Sequence, residues 1–181
     1  MKLNIGSGKF PKAGYTNVDI LPEADVVHNL DKFPYPFADN SIELLEADHV
    51  LEHLSDPFAA MRELHRILAP NGVLKIRVPH FSRGFTHSDH KRGFDVAFPF
   101  YFNPANDDFV GVPFRLTALR LTWFAQPYRA RKVLPRPAYY AGRFLDAIFT
   151  PLANLSPFLC SRLWCFWVGG FEEISYEFRK S

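Results

Sequence analysis

The sequence predicts an α/β fold with a doubly wound, mostly parallel sheet that ends in an antiparallel C-terminal strand. Three observations support this prediction. A short apolar strand near the N-terminus ends in a glycine turn, and residues 42–78 have the pattern of a strand, a helix and a strand. Residues 174–178 alternate apolar and polar side chains, as a half-buried strand does. The strand–helix–strand unit should have a right-handed crossover.

The glycine turn follows Leu3 and Ile5, whose spacing predicts a first strand over residues 2–5. Gly6 and Gly8 let the backbone turn tightly and let a ligand approach where a Cβ atom would clash. At the carboxyl end of a parallel strand, this turn would border the crevice in which open α/β sheets bind ligands. Asp19 ends a second apolar run, where a carboxylate can accept hydrogen bonds from a ribose diol. A nucleotide-type site is indicated, although an ordinary turn would also explain two glycines.

The dinucleotide pattern fails in this loop. It requires a third glycine three residues after the second, and Pro11 stands there. The second and third strands are predicted over residues 16–20 and 25–28. The links between them are too short for full crossover helices. We therefore expect shortened first helices, with a cofactor held by loop backbone alone.

The clearest helix follows a predicted fourth strand at residues 42–47 and a short helical turn at residues 48–54. Asp56 can cap this helix, and Pro57 suits its first turn. Pro70-Asn71-Gly72 should end it before a fifth strand at residues 73–78. Its apolar stripe consists of Phe58, Met61, Leu64, Ile67 and Leu68.

A sixth strand is predicted over residues 114–123 and should pair antiparallel with the C-terminal strand. Between them lies an insert, residues 125–170, that is rich in basic and aromatic side chains and is expected to be helical. The chain of 181 residues is long enough for one hydrophobic core. Residues 1–181 are therefore expected to form a single domain.

Composition excludes a disordered chain, because 48% of the residues are apolar and 16% are aromatic. The net charge of +2 favours no class of partner. Cys160 and Cys165 lie too close in sequence for an obvious disulfide, so we interpret them as reduced thiols of a cytoplasmic protein. Lys2 leads directly into a strand, so no signal peptide is expected.

Five blocks of this sequence, in order, resemble the class I S-adenosylmethionine-dependent methyltransferases, and among them the type 11-like members. The resemblance covers only the N-terminal part of the chain, and each block alone would be weak evidence. It implies a Rossmann-like fold, S-adenosyl-L-methionine as cofactor and methyl transfer as reaction. The blocks are Leu-Asn-Ile-Gly-Ser-Gly (3–8), Asn-Val-Asp-Ile (17–20), Phe-Pro-Tyr-Pro-Phe-Ala-Asp-Asn-Ser-Ile-Glu (33–43), His-Val-Leu-Glu-His-Leu (49–54) and Glu-Leu-His-Arg-Ile-Leu-Ala-Pro-Asn-Gly-Val-Leu (63–74).

The resemblance also implies a set of cofactor-binding residues. Asp19 would bind the ribose, and Asp31, or Asn29 if the register differs by two residues, would meet the adenine. Asp48 would contact the methionine part through its backbone, and its side chain is a candidate for the ammonium group. Asn4 stands where many family members carry an acid that faces this ammonium, and its amide oxygen can accept the same hydrogen bond without the charge. The full set is Asn4, Gly6, Ser7, Gly8, Asp19, Leu30, Asp31, Ala47 and Asp48.

Histidines that follow the fourth and fifth strands are the candidate catalytic residues. His80 comes first, since it ends the fifth strand and a neutral imidazole can take a proton from a hydroxyl acceptor. His90 and His49 are the other candidates, whereas His53 more often packs structurally in such sequences. Incidental histidines in a solvated loop are the alternative interpretation.

A metal site is not expected from the polar loop that starts at His80. Metal binding needs three ligands that converge on one ion, and the loop at Gly84 separates His80 from the rest. Lys91 and Arg92 add opposing charge. The other polar residues of this loop are His87, Asp89 and His90.

The insert and its approach carry an unbalanced positive charge, because residues 109–145 contain no Asp or Glu. The apolar residues 144–168 follow and are broken by Pro151 and Pro157, so a clean membrane span is not expected. An interfacial element at the inner membrane face is the hypothesis, and helices that merely cover the sheet are the alternative. Nucleic acid is not expected, because no recognition motif is present. The basic residues are Arg115, Arg120, Arg129, Arg131, Lys132, Arg136 and Arg143.

Together these expectations describe a methyltransferase that acts on a small-molecule acceptor or on a glycan or lipid-linked acceptor, with oxygen as the expected nucleophile. The alternative is a non-catalytic protein that keeps a degenerate cofactor fold and acts at a membrane surface or as a partner in a complex.

Overall fold

Seven strands form one sheet in the order β3-β2-β1-β4-β5-β7-β6 in the computed structural model, which describes residues 1–84, 88–168 and 170–180. The five strands β3, β2, β1, β4 and β5 run parallel to one another. Strand β7 runs antiparallel to both β5 and β6. The predicted α/β class, with an antiparallel C-terminal strand, is confirmed. The strands are β1 (Lys2–Ile5), β2 (Thr16–Asp19), β3 (Val26–Val27), β4 (Ile42–Asp48), β5 (Leu68–Pro79), β6 (Phe114–Thr122) and β7 (Glu173–Lys180).

Helices follow β4 and β5 and make up much of the insert between β6 and β7. A 3-10 helix spans Phe98–Phe102, and a π-helix spans Cys160–Trp164. The α-helices are α1 (Pro57–Ile67), α2 (Phe81–Gly84), α3 (Pro127–Val133), α4 (Arg136–Ala153), α5 (Pro157–Leu159) and α6 (Cys165–Val168).

The strand order reverses between β1 and β4. The chain first extends from β1 through β2 to β3, and then returns to the other side of β1 to build β4 and β5. In open α/β sheets, ligands bind outside the carboxyl ends of the strands at such a reversal. The glycine turn after β1 and the loop after β4 therefore border the same crevice.

One face of the sheet carries the hydrophobic core. Leu3, Leu45, Leu74 and Phe178 are cross-strand partners in one row, and all four side chains are fully buried. Cross-strand partners point to the same face, so the row is continuous across β1, β4, β5 and β7. Burial of each such side chain stabilises the fold by about 1.5–3 kcal/mol.

Helix α1 begins as predicted, because the Asp56 carboxylate accepts hydrogen bonds from the backbone N–H groups of Phe58 and Ala59, both at 2.9 Å. It ends at Ile67, three residues earlier than predicted. Pro70-Asn71-Gly72 lies inside β5, where the register slips, since Leu68 pairs with Ile42 but Val73 pairs with Leu44. The turn residues therefore form a bulge in the strand, and the prediction that they end the helix was wrong.

The opposite face of the sheet is polar. Asn4, Glu46, Lys75 and Glu177 form the corresponding cross-strand row on this face. The Lys75 and Arg77 side chains are 48% and 49% exposed. Residues 6–15, all described, form a loop between β1 and β2 where a crossover helix would usually lie. Because this face presents charges rather than apolar side chains, it needs no helical cover. The prediction of shortened first helices is confirmed.

The segment after β4 was predicted to form a short helix and instead forms hydrogen-bonded turns. The His53 and Leu54 N–H groups donate to the carbonyls of Val50 and Leu51, at 3.0 and 3.3 Å. His49 enters these turns with a φ of 54°, which a continuous helix cannot include. Val50 and Leu51 of these turns are buried in the core.

Helix α4 docks beside the end of β6 through polar side chains. Asn154 exchanges hydrogen bonds with the backbone of Leu121, at 3.0 and 2.7 Å, and the Thr150 hydroxyl accepts one from the Trp123 N–H at 3.0 Å. The opposite side of α4 exposes Phe144 and Leu152. The insert thus covers the edge of the sheet and still presents apolar side chains to solvent.

In the part of the chain that the structure describes, no single helix is both long and apolar enough to cross a membrane. One pair, Arg136–Ala153 and Pro157–Trp167, reaches the required length and composition together but is bent by 112°.

Candidate functional site

The glycine turn after β1 adopts a backbone that favours glycine. Gly6 and Gly8 have φ angles of 62° and 49°. A Cβ atom on Gly6 would lie 2.2 Å from Val50 Cγ2, so the first glycine also makes room for the loop after β4. The Ser7 N–H donates to the Val18 carbonyl at 3.2 Å and holds the turn over β2. The turn is thereby fixed between the two sides of the crevice.

Asp19 stands at the carboxyl end of β2 and faces this turn. Its Oδ2 accepts a hydrogen bond from the Gly8 N–H at 2.8 Å, and its Oδ1 accepts one from the Leu21 N–H at 3.1 Å. The residue is half-buried. Each carboxylate oxygen has further acceptor capacity, which matches two neighbouring hydroxyls of a ribose. The glycine turn and Asp19 together fit a nucleoside ligand.

Two of the predicted cofactor residues direct their side chains to the polar face of the sheet. The Asn4 amide is buried and donates to Asn17 Oδ1 at 2.9 Å. The Asp48 carboxylate accepts from Lys12 Nζ at 2.7 Å and from Arg77 Nε at 2.6 Å. Two cations engage the Asp48 carboxylate, so the geometry does not favour it as the partner of an ammonium group. The Asn4 contact engages its amide nitrogen, and the role of its amide oxygen stays a prediction. The backbone of Asp48 still ends β4 at the crevice.

Burial raises the pKa of the Asp48 carboxyl, but hydrogen bonds from Arg77 and Lys12 outweigh it and hold that pKa below its ordinary value. Lys12 also forms an ion pair with Glu46, whose pKa is lowered in the same way against the effect of burial. We call Lys12, Glu46, Asp48 and Arg77 the ion network. It ties the loop after β1 to β4 and β5.

The remaining predicted cofactor residues line the far side of the crevice. Ala47 is buried between its strand partners Ile5 and Ile76. The Leu30 carbonyl accepts a hydrogen bond from the Tyr35 hydroxyl at 2.9 Å.

Asp31 lies beside Leu30, but its carboxylate is already engaged. It accepts hydrogen bonds from the Ser55 N–H at 2.8 Å and the Ser55 hydroxyl at 3.1 Å. It therefore ties the loop after β3 to the loop after β4. Its oxygens keep further acceptor capacity, so contact with an adenine amino group stays a prediction.

His80, the first candidate base, is fully buried. Its two ring nitrogens form hydrogen bonds with the Ser82 hydroxyl at 2.8 Å and the Ser161 hydroxyl at 3.0 Å. Burial lowers the pKa of His80 to about 4. This geometry argues against proton removal from a bound acceptor, and it gives His80 a structural role between β5 and the insert. His87, named with it in the sequence, lies outside the described residues.

A second group of side chains, which we call the acceptor cluster, lies where the loops after β4 and β5 meet. His49 is central, since its Nε2 is 3.0 Å from Glu173 Oε2 and its Nδ1 is 3.3 Å from Glu52 Oε1. The rings of His53 and His90 pack edge to face with centroids 4.9 Å apart. The cluster consists of His49, Glu52, His53, Asp89, His90 and Glu173.

The electrostatics of the cluster are dominated by its carboxylates. Burial lowers the pKa of His49, but the hydrogen bond with Glu173 and the nearby carboxylate of Glu52 outweigh it and raise that pKa to about 9. His49 therefore carries a proton at neutral pH and cannot act as a base in that state. Its φ of 54° adds a strained backbone, a feature that concentrates at functional sites.

Glu52 and Glu173 were not singled out from the sequence. Glu52 is fully buried, although an exposed position would be expected for a charged residue in a turn. The available signal was a carboxylate between two histidines within His-Val-Leu-Glu-His-Leu. Glu173 is distant in sequence, and only the pairing of β5 with β7 brings it to His49.

Comparison with known proteins gives a match to one family model over part of the chain. Residues 10–76 match the family model described as "Methyltransferase domain". Among solved structures, an S-adenosylmethionine-dependent methyltransferase from Mesorhizobium loti has a TM-score of 0.57 at 12% identity. The alignment covers 99% of this chain and 90% of that protein. A SAM-dependent methyltransferase from Archaeoglobus fulgidus has a TM-score of 0.57 at 16% identity, with 99% and 85% covered.

A third similar structure is the [4+2]-cyclase SpnF, with a TM-score of 0.53 at 14% identity and 99% and 73% covered. At these identities the structural likeness shows the fold alone. No curated protein matches the chain in sequence.

Proposed function

We propose that this chain, whose fold is that of the class I S-adenosylmethionine-dependent methyltransferases, transfers a methyl group to an oxygen of a small-molecule acceptor or of a glycan or lipid-linked acceptor. The family match and the fold imply S-adenosylmethionine as the cofactor. The observation that carries the proposal is the position of Asp19. Its carboxylate holds the Gly6–Gly8 turn at the reversal of strand order, and the acceptor cluster lies beyond the next strand on the same edge.

The residues present fit the cofactor. The left-handed backbone at Gly6 and Gly8 leaves a concave turn, and Asp19 offers acceptor capacity for two hydroxyls. Once bound, the cofactor supplies an electrophilic methyl group on a positively charged sulfur. The contribution of the protein is mainly proximity and orientation, since such a donor is already reactive.

The acceptor cluster is proposed to receive the proton that a hydroxyl acceptor loses. His90 is half-buried at the edge of the cluster, whereas His49 already carries a proton below its pKa of about 9. A neutral imidazole can accept a proton from a hydroxyl acceptor, so His90 is the candidate base. His49, held by Glu52 and Glu173, is better placed to donate a hydrogen bond to the acceptor.

A lipid-linked or otherwise anionic glycan is the acceptor class that the insert favours. Helices α4 to α6 expose a set of large apolar side chains, which we call the apolar insert surface. Singly exposed apolar residues are normal, but a contiguous group of this size marks an interaction site. The surface consists of Phe144, Ile148, Leu152, Leu155, Phe158, Leu159, Leu163, Trp164, Phe166 and Trp167.

Exposed cations accompany this surface. Arg129, Arg131, Lys132 and Arg136 lie on α3 and at the start of α4, and each is exposed. Each basic residue near an anionic membrane contributes about 1 kcal/mol. Short helices that present apolar side chains beside cations are typical of elements that lie in a membrane interface. This combination favours contact with the inner membrane face over a simple cover for the sheet.

A cavity of about 680 Å³ opens among α4, α5 and the π-helix. Trp123, Phe149, Leu159 and Leu163 contribute to its apolar lining. Its size and lining suit part of an alkyl or isoprenoid chain. The cavity supports a lipid-linked acceptor. The arginines of α3 and of the start of α4 would hold its phosphate.

A non-catalytic role is not favoured. Asn4 and the short links between β1, β2 and β3 were its basis, and both have structural explanations. Asn4 is paired with Asn17, and the polar sheet face needs no helices.

The proposal is tested in two steps. Calorimetric titration should show that S-adenosylmethionine and S-adenosylhomocysteine bind with a stoichiometry of one. Methyl-labelled cofactor is then incubated with the protein and with total lipid and polar extracts, and label is counted in the lipid-extractable and water-soluble fractions. Transfer to the lipid fraction supports a lipid-linked acceptor, and transfer only to water-soluble material supports a free small molecule. Absence of cofactor binding at millimolar concentration would refute the proposed function.

A further inference from the structure

We propose that Glu52, His53 and His90 form a site for a divalent transition-metal ion on the acceptor side of the crevice. The first observation is the state of Glu52. Its side chain is fully buried, and neither carboxylate oxygen has a hydrogen-bond partner among the described residues. A buried carboxylate without such partners is costly, and each case in a folded protein requires an explanation.

His49 does not meet this need alone. Its Nδ1 lies 3.3 Å from Glu52 Oε1 without the geometry of a hydrogen bond, and its Nε2 is committed to Glu173 at 3.0 Å. Two imidazoles, those of His49 and His53, therefore lie near Glu52 Oε1, and neither forms a hydrogen bond with it. An ion bound directly to the carboxylate would provide the missing partner.

The second observation is that two imidazoles face the same carboxylate. One ligand atom from each of Glu52, His53 and His90 can be chosen so that all three lie within 4.8 Å of one another. In tetrahedral coordination with bonds of about 2.0–2.2 Å, ligand atoms lie roughly 3.3 Å apart. Both histidines are only half-buried, so small rotations of their rings can close the difference.

The orientation of His53 fits a metal ligand. Its Nε2 faces Glu52 Oε1 at 3.9 Å, while its Nδ1 faces Asp89 Oδ2 at 3.5 Å. Histidines that bind metals usually donate their other ring N–H to a carboxylate, which fixes the tautomer. The Asp89 carboxylate would accept this N–H from His53, and His49 would orient Glu52.

The donor set indicates the class of ion. Two imidazoles and one carboxylate are the ligands of catalytic zinc sites and of non-haem iron(II) sites, and both leave a coordination position open. An ion bound here would lower the pKa of a hydroxyl placed in the open position. With metal bound, this effect would replace proton removal by His90, because a ring nitrogen that coordinates a metal cannot also accept a proton. Metal binding itself does not depend on the proposed transfer.

The sequence interpretation excluded a metal on the ground that His80 is separate from the histidines of its loop. In the structure, His80 is hydrogen-bonded to two serines and is not part of the proposed site. The proposed site uses one residue of that loop and two residues of the loop after β4.

The test uses metal alone with chelator-treated protein. Titration with Zn²⁺ and with Co²⁺ is followed by calorimetry and, for cobalt, by visible absorption. We expect one site whose cobalt spectrum lacks the intense thiolate band that Cys160 or Cys165 would produce. Glu52→Gln and His90→Asn should each weaken binding at least tenfold. His28→Asn, which changes a histidine outside the cluster, should bind metal as the wild type does.

Thermal unfolding keeps the test decisive if a variant is unstable. The wild type should melt at a higher temperature with Zn²⁺, whereas Glu52→Gln should lose this shift while it remains folded. Equal affinity in wild type and both variants, a thiolate spectrum, or no site at all would overturn the proposal. Cofactor binding is measured separately, without metal. Failure of the proposed function would therefore appear in the cofactor titration and not in the metal titration.

Discussion

The Asp19 carboxylate accepts a hydrogen bond from the Gly8 N–H at 2.8 Å, across the crevice between the first two strands. This contact fixes the glycine turn and leaves the remaining acceptor capacity of the carboxylate directed to the same space. One residue therefore shapes the proposed cofactor site and is the proposed contact for the ribose.

Replacement of Asp19 by Ala should weaken binding of S-adenosylmethionine by roughly 1.5–3 kcal/mol, the range for loss of hydrogen bonds to a charged group. Calorimetric titration of wild type and variant measures the difference. Glu23→Gln is the matched control, because Glu23 is an exposed acid in the turn after β2. Equal affinities for Asp19→Ala and wild type would remove Asp19 from the site.

Loss of the His90 imidazole should separate catalysis from cofactor binding. His90→Ala is expected to reduce label transfer at least tenfold, because general acid–base groups contribute about 10²–10⁴-fold. Cofactor affinity should stay within twofold of the wild type, since His90 lies in the acceptor cluster and not beside Asp19. A variant with normal transfer would exclude His90 from the reaction.

Ser161→Ala tests His80 without disturbing the crevice. It removes one of the two hydroxyls that hold the buried ring, at 3.0 Å, and should lower the free energy of unfolding by about 1–3 kcal/mol. The rate of label transfer per folded molecule should be unchanged. A large decrease in transfer with unchanged stability would instead restore His80 as a candidate base.

The ion network predicts a loss of stability in acid. The pKa of Asp48 lies below its ordinary value of 3.8 in the folded protein, so its ionised form stabilises the fold above that pH. This contribution is lost as the pH falls through the lowered pKa. Asp48→Asn should reduce stability at neutral pH by about 1–3 kcal/mol and flatten the pH dependence between neutral and acidic solution.

Denaturant unfolding at several pH values measures this effect. Glu43→Gln is the control, because the Glu43 side chain is 78% exposed and, within the described part of the chain, forms an ion pair only with the N-terminal amine. If Asp48→Asn and the wild type lose stability in parallel on acidification, the ion network is not the source of the pH dependence.

Vesicle flotation tests membrane contact through the insert. Binding should require anionic lipid and should fall as salt rises, because screening weakens the attraction of exposed cations. Replacement of Arg129, Arg131 and Lys132 by Ser should reduce binding. Replacement of Arg115 and Arg120, exposed cations on β6, by Ser should have less effect. Equal behaviour with neutral and anionic vesicles would leave the insert as a cover for the sheet edge.

Local patterns in the sequence predicted the sheet and α1 well. Alternation identified β7, and Asp56 with Pro57 located the start of α1, because these signals depend on neighbouring residues only. The bulge at Pro70-Asn71-Gly72 was missed, since the pairing of Leu68 with Ile42 is a contact between distant residues.

The candidate site was less predictable for the same reason. The glycine turn and Asp19 lie close in sequence, and the structure brings them into contact. The partners of Asp48, Asp31 and His80 are supplied by other elements, so their engagement could not be inferred from spacing. Glu52 was missed because burial of a charged residue depends on the packing around it and not on its own neighbours.

The polar face of the sheet affects the tendency of the protein to self-associate. A molecule that exposes large apolar side chains on its insert is at risk of adhering to copies of itself. The row of Glu46, Lys75 and Glu177 counteracts this on its own face, because an approaching surface would have to strip water from paired charges, and desolvation of charges is expensive. This face of the sheet, which has no covering helices, therefore stays hydrated and does not favour self-association.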